Sequence, residues 1–530
     1  MKKLWIVLSI FILSLVLVAC SGGEYRVKVG TFDQEIPVDN YKVYYEVFVG
    51  AFSDSNNDGI GDLKGLINRL DYLNDGSKES GKSLGVEGLW LMPIMPANSY
   101  HKYDVRNYKA IDINYGTLED FELLIQEADK RGISIVIDLV LNHTSDLHPW
   151  FKAAKTAIQT GDMTNPYIEY YSIVTSNQRL NGHTYYQLYG DYYYEGNFSS
   201  TMPELNMDSA LVKAEIVDII GFWFDLGVHG FRLDAAKYVY LNDTAKNIEF
   251  WNWFMEECYK IKEDAYVVGE VWSGDASILP YYEPFNNFDF GMSGVSGVIS
   301  ATANGQDSVN YFTTYVGNWR TQTKSKNPIA ILHPFISNHD MNRAAGFLSI
   351  ANHRMHMAAN LYIWSSGNPY IYYGEEIGMK GFRGSENTDA NRRTAMLWGD
   401  KDTVKDPVGT TYDVANQTNG TVKDQLNQKT SLLNHYKTLI MLRTQNPEIA
   451  RGVYQPLVFQ GYNTFGGFTA TWNGSTVGVF HNTSEEPITI NLANYRSQSF
   501  QSVRGYAGKG SASLSGQVLT LDGMTSVIVK

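Results

Sequence analysis

Cysteine is nearly absent from this chain of 530 residues, which contains only two, Cys20 and Cys258. With so few cysteines, no intrachain disulfide framework is expected. Basic residues are also scarce, because 43 lysines and arginines stand against 56 acidic residues and give a net charge of -13. No basic run compensates for this deficit, so the composition argues against nucleic acid as a partner.

The first twenty residues have the pattern of a targeting segment. Lys2 and Lys3 precede an uncharged run over residues 4–18, which is shorter than the roughly 20 residues that a membrane-spanning helix needs. We therefore predict a signal peptide over residues 1–20. Leu-Val-Ala-Cys at positions 17–20 resembles a bacterial lipobox, which implies lipidation of Cys20 and a cell-surface lipoprotein anchored to a bacterial membrane. A plain secretory signal with an incidental cysteine is the alternative.

The stretch Gly-Phe-Arg-Leu-Asp-Ala-Ala-Lys at positions 230–237 predicts a short apolar strand that ends in charged residues. Side chains alternate along a strand, so Arg232 and Asp234 share one face. A neighbouring cation keeps a carboxylate charged and oriented, as a nucleophilic carboxylate requires. For an isolated Arg-x-Asp, however, an ordinary ion pair is the simpler interpretation.

Three further predicted strands carry acidic residues or histidines at their ends. Residues 265–271 include Glu270, residues 133–141 lead into Asn142-His143, and another strand leads into Asn338-His339-Asp340. Helix-length segments separate these strands. Such residues at the ends of several strands are the pattern of a (β/α)8 barrel with an active site at one face.

These four blocks resemble the motifs of the α-amylase family of glycoside hydrolases and occur in the family's order, within a resemblance that covers about residues 44–398. The resemblance implies a retaining hydrolase with Asp234 as nucleophile, Glu270 as general acid and Asp340 as a third acid that binds sugar hydroxyls. The apolar run before Glu270 should raise its pKa, as a proton donor requires. The same motifs imply substrate contacts by Arg232, His143 and His339.

Two other stretches match parts of the family's substrate pocket. In Ser-Tyr-His-Lys-Tyr-Asp at positions 99–104, the resemblance implies that Tyr103 stacks under the sugar at the cleavage point and that His101 lies beside it. The family usually has glycine where Lys102 stands, and a lysine adopts glycine's backbone angles only with strain. Asp389 and Arg393 match a pair that holds hydroxyls of the same sugar, although a surface ion pair between residues four apart has the same spacing.

A metal site is predicted in the loop that follows the first strand, residues 43–48. Acidic or amide side chains lie at loop positions 1, 3, 5 and 9, with glycine at 6 and a backbone carbonyl at 7, as at the start of an EF-hand loop. Position 12 holds Gly65, so the loop is not an EF-hand. Oxygen donors favour a structural Ca²⁺ over Mg²⁺, and a polar turn without an ion is the alternative. The expected ligands are Asp54, Asn56, Asp58, the Ile60 carbonyl and Asp62.

The predicted architecture is an α/β fold, a (β/α)8 TIM barrel with a small domain inserted after strand 3 and a C-terminal antiparallel β-sandwich. Helical periodicity breaks down from His143 to Asn206, a stretch too long for a simple loop. Short alternating runs separated by Gly, Asn and Ser begin near residue 453 and indicate the sandwich. The predicted boundaries are 1–20 for the signal peptide, 21–40 for a linker, 41–142 and 207–450 for the barrel, 143–206 for the inserted domain and 451–530 for the sandwich.

The resemblance also gives an expectation about the substrate, an α-glucan oligo- or polysaccharide. In the oligo-1,6-glucosidase branch, valine after the nucleophile goes with α-1,6 cleavage, whereas alanine or threonine goes with α-1,4 cleavage. Ala235 therefore predicts a preference for α-1,4-glucosidic bonds. Met-Pro-Glu-Leu-Asn at positions 202–206 is intermediate between the oligo-1,6-glucosidase and neopullulanase branches, so neopullulanase, cyclomaltodextrinase, glucanotransferase and oligo-1,6-glucosidase activities stay open. A non-catalytic glycan-binding lipoprotein is the alternative from another class, and the complete acid set argues against it.

Overall fold

A computed structural model of the chain describes residues 26–28, 37–495 and 499–530. Its largest element is a sheet of parallel strands that curls into a barrel. Seven strands are hydrogen-bonded in continuous order, and two single bridges, Phe288 with His333 and Phe335 with Tyr370, close the circle. The predicted (β/α)8 barrel is therefore confirmed, with residues 333–335 in the seventh position. The seven strands, in order across the sheet, are Asn286–Asn287, Tyr266–Gly269, Gly230–Leu233, Ser134–Leu139, Gly88–Leu91, Tyr44–Val47 and Tyr370–Tyr372.

The barrel strands are buried along almost their whole length, because helices cover the outer face of a parallel sheet. The helix Leu118–Asp129 is one of the covering helices: its buried side chains recur at helical spacing, and Thr117 and Asp120 form a capping box at its start. The α-helices of the described residues are Leu63–Asn68, Leu70–Leu73, Leu118–Asp129, Pro149–Thr160, Ala210–Asp225, Thr244–Ile261, Asp275–Ile278, Val298–Ala303, Val309–Lys326, Arg354–Ile363, Val422–Leu426, Leu432–Gln445 and Glu448–Arg451.

The segment between the third and fourth barrel strands forms a small separate unit. Its three antiparallel strands are, in order across the sheet, Ile173–Thr175, Tyr192–Glu195 and Tyr185–Tyr189. The chain returns to the barrel through a backbone bridge between His143 and Glu204. This bridge holds the end of the inserted segment against the loop that follows the third strand.

The C-terminal part consists of two antiparallel sheets around an apolar core that includes Phe465, Phe480 and Leu519, which is the expected sandwich. The strand Arg26–Lys28 was not expected, because it lies within the predicted linker and pairs with residues 506–508 at the sheet edge. A three-residue edge strand is too short to show an alternating pattern. The larger sheet contains Arg26–Lys28, Val503–Gly508, Thr525–Val529, Ser475–Asn482, Phe465–Trp472 and Val453–Leu457, and the smaller contains Ile488–Asn491, Val518–Leu521 and Ala512–Ser515.

The predicted signal peptide and lipidated Cys20 lie outside the described residues. Cys258 is buried within the helix Thr244–Ile261 and is not in a disulfide. Among the described residues, no helix has both the length and the apolar character needed to cross a membrane.

Candidate active site

A single arginine lies at the centre of the predicted catalytic acids. Arg232 belongs to the strand Gly230–Leu233 and is completely buried. Its Nη1 donates to Asp138 at 2.9 Å and to Asp234 at 2.7 Å, and its Nη2 lies 2.9 Å from Glu270. One guanidinium therefore holds three carboxyl groups that come from three neighbouring strands. Arg232 is occupied by these acids, and its predicted contact with substrate stays a prediction.

The turn that follows the nucleophile strand brings Glu270 towards Asp234. The Glu270 N–H donates to the Leu233 carbonyl at 2.9 Å. Ala235 then adopts φ 43° and ψ 46°, a left-handed conformation that is uncommon for a residue other than glycine, and its N–H donates to the Glu270 carboxylate at 3.1 Å. Asn142 secures the opposite side by donating from its side chain to the Asp234 carbonyl at 2.7 Å. The strained turn therefore supplies a hydrogen-bond donor to the acid.

Burial controls the protonation of two of the acids around Arg232. Loss of solvent raises the pKa of Glu270 above its ordinary value, although Arg232 opposes the shift. The same cause raises the pKa of Asp138 to about 7. A general acid needs a raised pKa of this kind, because it must carry its proton at the working pH.

The third predicted acid, Asp340, belongs to a second charged group. Arg393 donates to one of its oxygens at 2.6 Å, and His339 Nε2 lies 3.1 Å from the other. Burial would raise the pKa of Asp340, but the charges of His339 and Arg393 outweigh burial and lower it well below its usual range. Asp340 keeps 29% of its side chain exposed, whereas His339 is completely buried. His339 therefore supports Asp340 from its buried side, and its predicted contact with substrate stays a prediction.

Tyr103 and His101 lie together beside these acids, as the motif implies. The Tyr103 hydroxyl donates to Asp138 at 3.1 Å, and its ring stacks on the His339 ring at 5.6 Å between centroids. The Nδ1 of His101 accepts the Tyr103 N–H at 3.2 Å, so the proton of the neutral ring is on Nε2. Burial, helped by the charge of Arg393, lowers the pKa of His101 to about 4.

Lys102, which replaces the family's usual glycine, keeps a glycine-like backbone angle. Its φ is 63°, in the left-handed region. The side chain is buried, with Nζ 2.8 Å from the Asp112 carboxylate and 4.7 Å from the centre of the Tyr115 ring. The ion pair and the cation–π contact offset the backbone strain, so the loop still presents Tyr103 to the cleft.

Asp389 and Arg393 do not form the ion pair that was the alternative interpretation of their spacing. Arg393 contacts Asp340, whereas Asp389 is bound by Arg383 at 2.6 Å and by Arg392 at 2.9 Å. The reason is local, because residues 389–392 form a 3-10 turn, in which side chains three apart face the same way. Asp389 still lines the cleft, so its contact with a sugar hydroxyl stays a prediction.

The predicted acids open into one cleft of about 560 Å³. His143 lines this cleft and donates from Nε2 to the Tyr103 carbonyl at 3.2 Å, and burial lowers its pKa, which favours the neutral ring. Aromatic side chains form other parts of the wall and offer flat faces on which sugar rings can stack. The predicted residues that line the cleft are Tyr103, His143, Asp234, Glu270, Asp340 and Asp389, and the aromatic ones that join them are Phe198, Tyr238 and Trp272.

Comparison with known proteins assigns the family. The α-amylase catalytic domain matches residues 46–452. The chain belongs to the α-amylase family. It is 36% identical to alpha-amylase 3 of Dictyoglomus thermophilum, over 85% of this chain and 86% of that protein. It is 28% identical to an oligo-1,6-glucosidase of Parageobacillus thermoglucosidasius, over 86% of this chain and 92% of that protein. The solved structure of Eubacterium rectale Amy13B superimposes with a TM-score of 0.86 at 34% identity, covering 94% of this chain and 97% of that one.

This member of the α-amylase family is therefore a glycoside hydrolase. The family resemblance inferred from the four motifs is confirmed. Two relatives that match a similar share of this chain differ in activity, since one is an alpha-amylase and the other an oligo-1,6-glucosidase. The family alone consequently does not determine which glucosidic linkage the enzyme cleaves.

Sequence reasoning missed several residues of this amylase-family site. Glu46 is buried in the strand Tyr44–Val47 and contacts His339; its only signal was a carboxylate within an apolar strand. Trp272 follows Glu270 by two residues, is 46% exposed and stacks on Phe290. Arg383 gave no signal, because it reaches Asp389 through an irregular loop.

The predicted metal loop is closed by its own hydrogen bonds. Asp54 accepts the Gly59 N–H at 2.7 Å, Asp58 accepts the Ile60 N–H at 2.7 Å, and Asp62 caps the next helix by accepting the Gly65 N–H at 2.7 Å. Among the described residues, no three His, Cys, Asp or Glu side chains are grouped as metal ligands. The predicted donors are nevertheless all oxygens, which suits Ca²⁺ chemically. Calcium binding therefore stays a prediction.

Proposed function

We propose that this enzyme hydrolyses α-1,4-glucosidic bonds of starch, maltodextrins and related α-glucans with retention of configuration. The observation that carries the proposal is the shared arginine, since Arg232 contacts both Asp234 and Glu270. Retaining glycosidases hold their two carboxyl groups about 5–5.5 Å apart, whereas inverting ones leave about 6.5–9.5 Å for a water molecule. Two carboxylates on one guanidinium support the shorter separation.

The proposed reaction has two steps. Glu270, whose pKa is raised by burial, donates its proton to the glycosidic oxygen while the Asp234 carboxylate attacks the anomeric carbon, and the bond to the leaving sugar breaks. Glu270, now a carboxylate, then removes a proton from water as the water oxygen displaces Asp234 and releases the second sugar. Asp340 stays ionised beside His339 and Arg393, and it accepts hydrogen bonds from hydroxyls of the sugar at the cleavage point.

Proton NMR of the first products from maltoheptaose tests the stereochemistry. We expect the α-anomer to appear first and to mutarotate afterwards, whereas initial β-anomer would contradict retention. Asp234→Asn and Glu270→Gln should each lower kcat by about three orders of magnitude or more with little change in melting temperature. Asp191→Asn, an exposed acid of the inserted segment, is the matched control and should leave kcat unchanged.

The same digest separates the other activities. Products longer than maltoheptaose would identify glucanotransferase activity, in which a second sugar replaces water in the second step. Binding of maltoheptaose without any cleavage would support a glycan-binding protein instead. Short maltooligosaccharides as the only early products support hydrolysis.

The preference for α-1,4 bonds is proposed from Ala235, which lines the cleft directly after Asp234. A change of one or two methyl groups in a pocket alters selectivity by about 1–3 kcal/mol, or roughly 10- to 200-fold. We expect maltotetraose to be cleaved well ahead of isomaltose, and Ala235→Val to shift the ratio towards isomaltose. Faster cleavage of isomaltose by the wild-type enzyme would contradict the assignment.

A structural Ca²⁺ is proposed for the loop of residues 54–62. Asp54, Asn56, Asp58, the Ile60 carbonyl and Asp62 would hold the ion. An ion that binds only the folded state adds stability by mass action, so removal with a chelator should lower the melting temperature. Elemental analysis that finds no metal, together with an unchanged melting temperature in chelator, would exclude the site.

Attachment to a bacterial membrane is proposed from the lipobox-like residues 17–20. Several acyl chains on Cys20 would hold the protein firmly, because one chain alone gives only marginal binding. Cys20→Ala should therefore release the enzyme from the membrane fraction or block its processing. Wild-type enzyme found only in the medium, without lipid by mass spectrometry, would contradict the proposal.

A further inference from the structure

A buried carboxylate outside the predicted acid set contacts the site from behind. Glu46 lies in the first barrel strand, Tyr44–Val47, and is 2% exposed. Its Oε1 lies 2.5 Å from His339 Nδ1, and Glu46 is not part of the cleft wall. Its backbone carbonyl accepts the Tyr373 N–H at 3.0 Å, which ties its strand to the neighbouring one. Glu46 is therefore held rigidly against His339.

The other nitrogen of His339 faces the site. Nε2 lies 2.7 Å from the Tyr103 hydroxyl and 3.1 Å from Asp340. Because Tyr103 donates its own proton to Asp138, its oxygen can only accept from Nε2. A carboxylate on Nδ1 and two acceptors on Nε2 require a proton on each ring nitrogen, which is the imidazolium form.

We propose that Glu46 is a positioning residue for the proposed glucan hydrolysis: it holds His339 as an oriented imidazolium, and His339 in turn fixes Asp340 and Tyr103 at the cleavage point. A carboxylate that accepts the far N–H of a histidine fixes the ring's orientation and stabilises its charged form, as in catalytic triads and metal sites. The inference rests on the proposed function, because it concerns the pH range in which that reaction runs.

The electrostatics around His339 agree with this geometry. Burial alone lowers the pKa of His339, but the carboxylates of Asp340 and Glu46 outweigh burial and raise it to about 10. Asp138 and Glu270 are the other carboxyl groups near the ring, Tyr103 is stacked on it, and Arg393 donates to the His339 carbonyl at 3.1 Å. Arg232 is the remaining nearby cation and is paired with carboxylates.

The variant Glu46→Gln tests the proposal, because the amide can keep a hydrogen bond to Nδ1 but removes the charge. His339 should then lose its second proton nearer its ordinary pKa of about 6.5. We expect kcat/KM on maltoheptaose to be within about threefold of wild type at pH 5.5 and to fall by about tenfold or more at pH 8, because each unit of pKa is a tenfold change in the charged fraction. The alkaline limb of the pH profile should move to lower pH.

Two variants separate this effect from simple damage to the barrel. Glu46→Asp keeps the charge and should keep the wild-type alkaline limb even where its kcat is lower. Glu376→Gln removes another completely buried glutamate, which Tyr45 and Tyr72 bind at 2.9 and 2.6 Å without contact to His339, and its pH profile should match that of the wild type.

A loss in Glu46→Gln that is equal at pH 5.5 and pH 8, or an alkaline limb at the wild-type position, would overturn the inference. A wild-type enzyme without glucan hydrolysis would instead contradict the proposed function, and the two failures are therefore distinguishable.

Discussion

Lys102 offers a test of how the loop that carries Tyr103 is stabilised. The residue combines a left-handed backbone, φ 63°, with a buried ion pair to Asp112. A side chain in the left-handed region costs about 1–2 kcal/mol relative to glycine. Removal of one partner of a buried ion pair costs about 3–5 kcal/mol, because the other charge is left unpaired. The ion pair should therefore outweigh the strain.

Lys102→Ala and Lys102→Gly separate the two effects, since both remove the amine and only alanine keeps the strain. Unfolding entropy is roughly 2.1 cal/mol/K per residue, or about 1 kcal/mol/K for a chain of this length, so 1 kcal/mol shifts the melting temperature by about 1 °C. We expect Lys102→Ala to lower the melting temperature by about 3–5 °C by calorimetry. The melting temperature of Lys102→Gly should be about 1–2 °C higher than that of Lys102→Ala.

Asp112→Asn in the Lys102→Gly background is the control, because it removes the unpaired charge and should recover part of the loss. The reasoning would be refuted by an alanine variant as stable as the glycine variant, or by glycine more stable than the wild type. The first result would mean that the backbone is not strained, and the second that the ion pair contributes less than the strain costs.

Glu270 should set the alkaline limb of wild-type activity, because burial raises its pKa above that of an ordinary glutamate. We expect kcat/KM to fall as the pH rises through this raised pKa. An alkaline limb near pH 4.5 would contradict the prediction. Ala235→Gly should raise the melting temperature by about 1 °C, because glycine relieves the left-handed strain at φ 43°; an unchanged or lower value would count against strain. Trp272→Ala should raise KM for maltoheptaose by about tenfold, because this exposed ring at the cleft offers a face on which a sugar stacks. The control is Tyr189→Ala, which removes an exposed aromatic ring from the inserted segment and should leave KM unchanged.

The barrel and its catalytic face were predictable because they depend on local pattern. Buried parallel strands read as apolar runs, and polar residues that follow such runs must gather at one end of the barrel. Asp234, Glu270 and Asp340 could therefore be brought together from sequence alone. Asn142, which follows the third strand, lies at the same end and donates to the Asp234 carbonyl at 2.7 Å.

Contacts between distant parts of the chain were not predictable in this way. Glu46 and His339 are 293 positions apart, and nothing in either local sequence specifies the other. The alternative interpretation of Asp389 and Arg393 as an ion pair fails for a different reason: a spacing of four indicates a contact only in an α-helix, and here the chain forms a 3-10 turn. Lys102 has a left-handed backbone conformation that favours glycine. The residue that compensates, Asp112, could be recognised only from the fold.

The distribution of cations explains why the pKa of Asp340 is lowered whereas that of Glu270 is raised. Asp340 has two cationic neighbours, Arg393 and His339, and these stabilise its charged form. Glu270 shares the single charge of Arg232 with Asp234 and Asp138. Three carboxyl groups, two of them buried, cannot all be ionised cheaply around one guanidinium.

Protonation should therefore occur most readily at the acids of this group whose pKa is raised by burial. The pKa of Asp138 is raised to about 7 and that of Glu270 is raised as well. Asp138 accepts hydrogen bonds from Trp90 and Tyr103 and does not line the cleft, so it cannot deliver a proton to a substrate. Glu270 lines the cleft. Positive charge is short around Arg232, and only Glu270 of the two acids with a raised pKa reaches the cleft, so Glu270 is the residue that can deliver a proton. Asp340 has two cationic neighbours, and these keep it charged for binding.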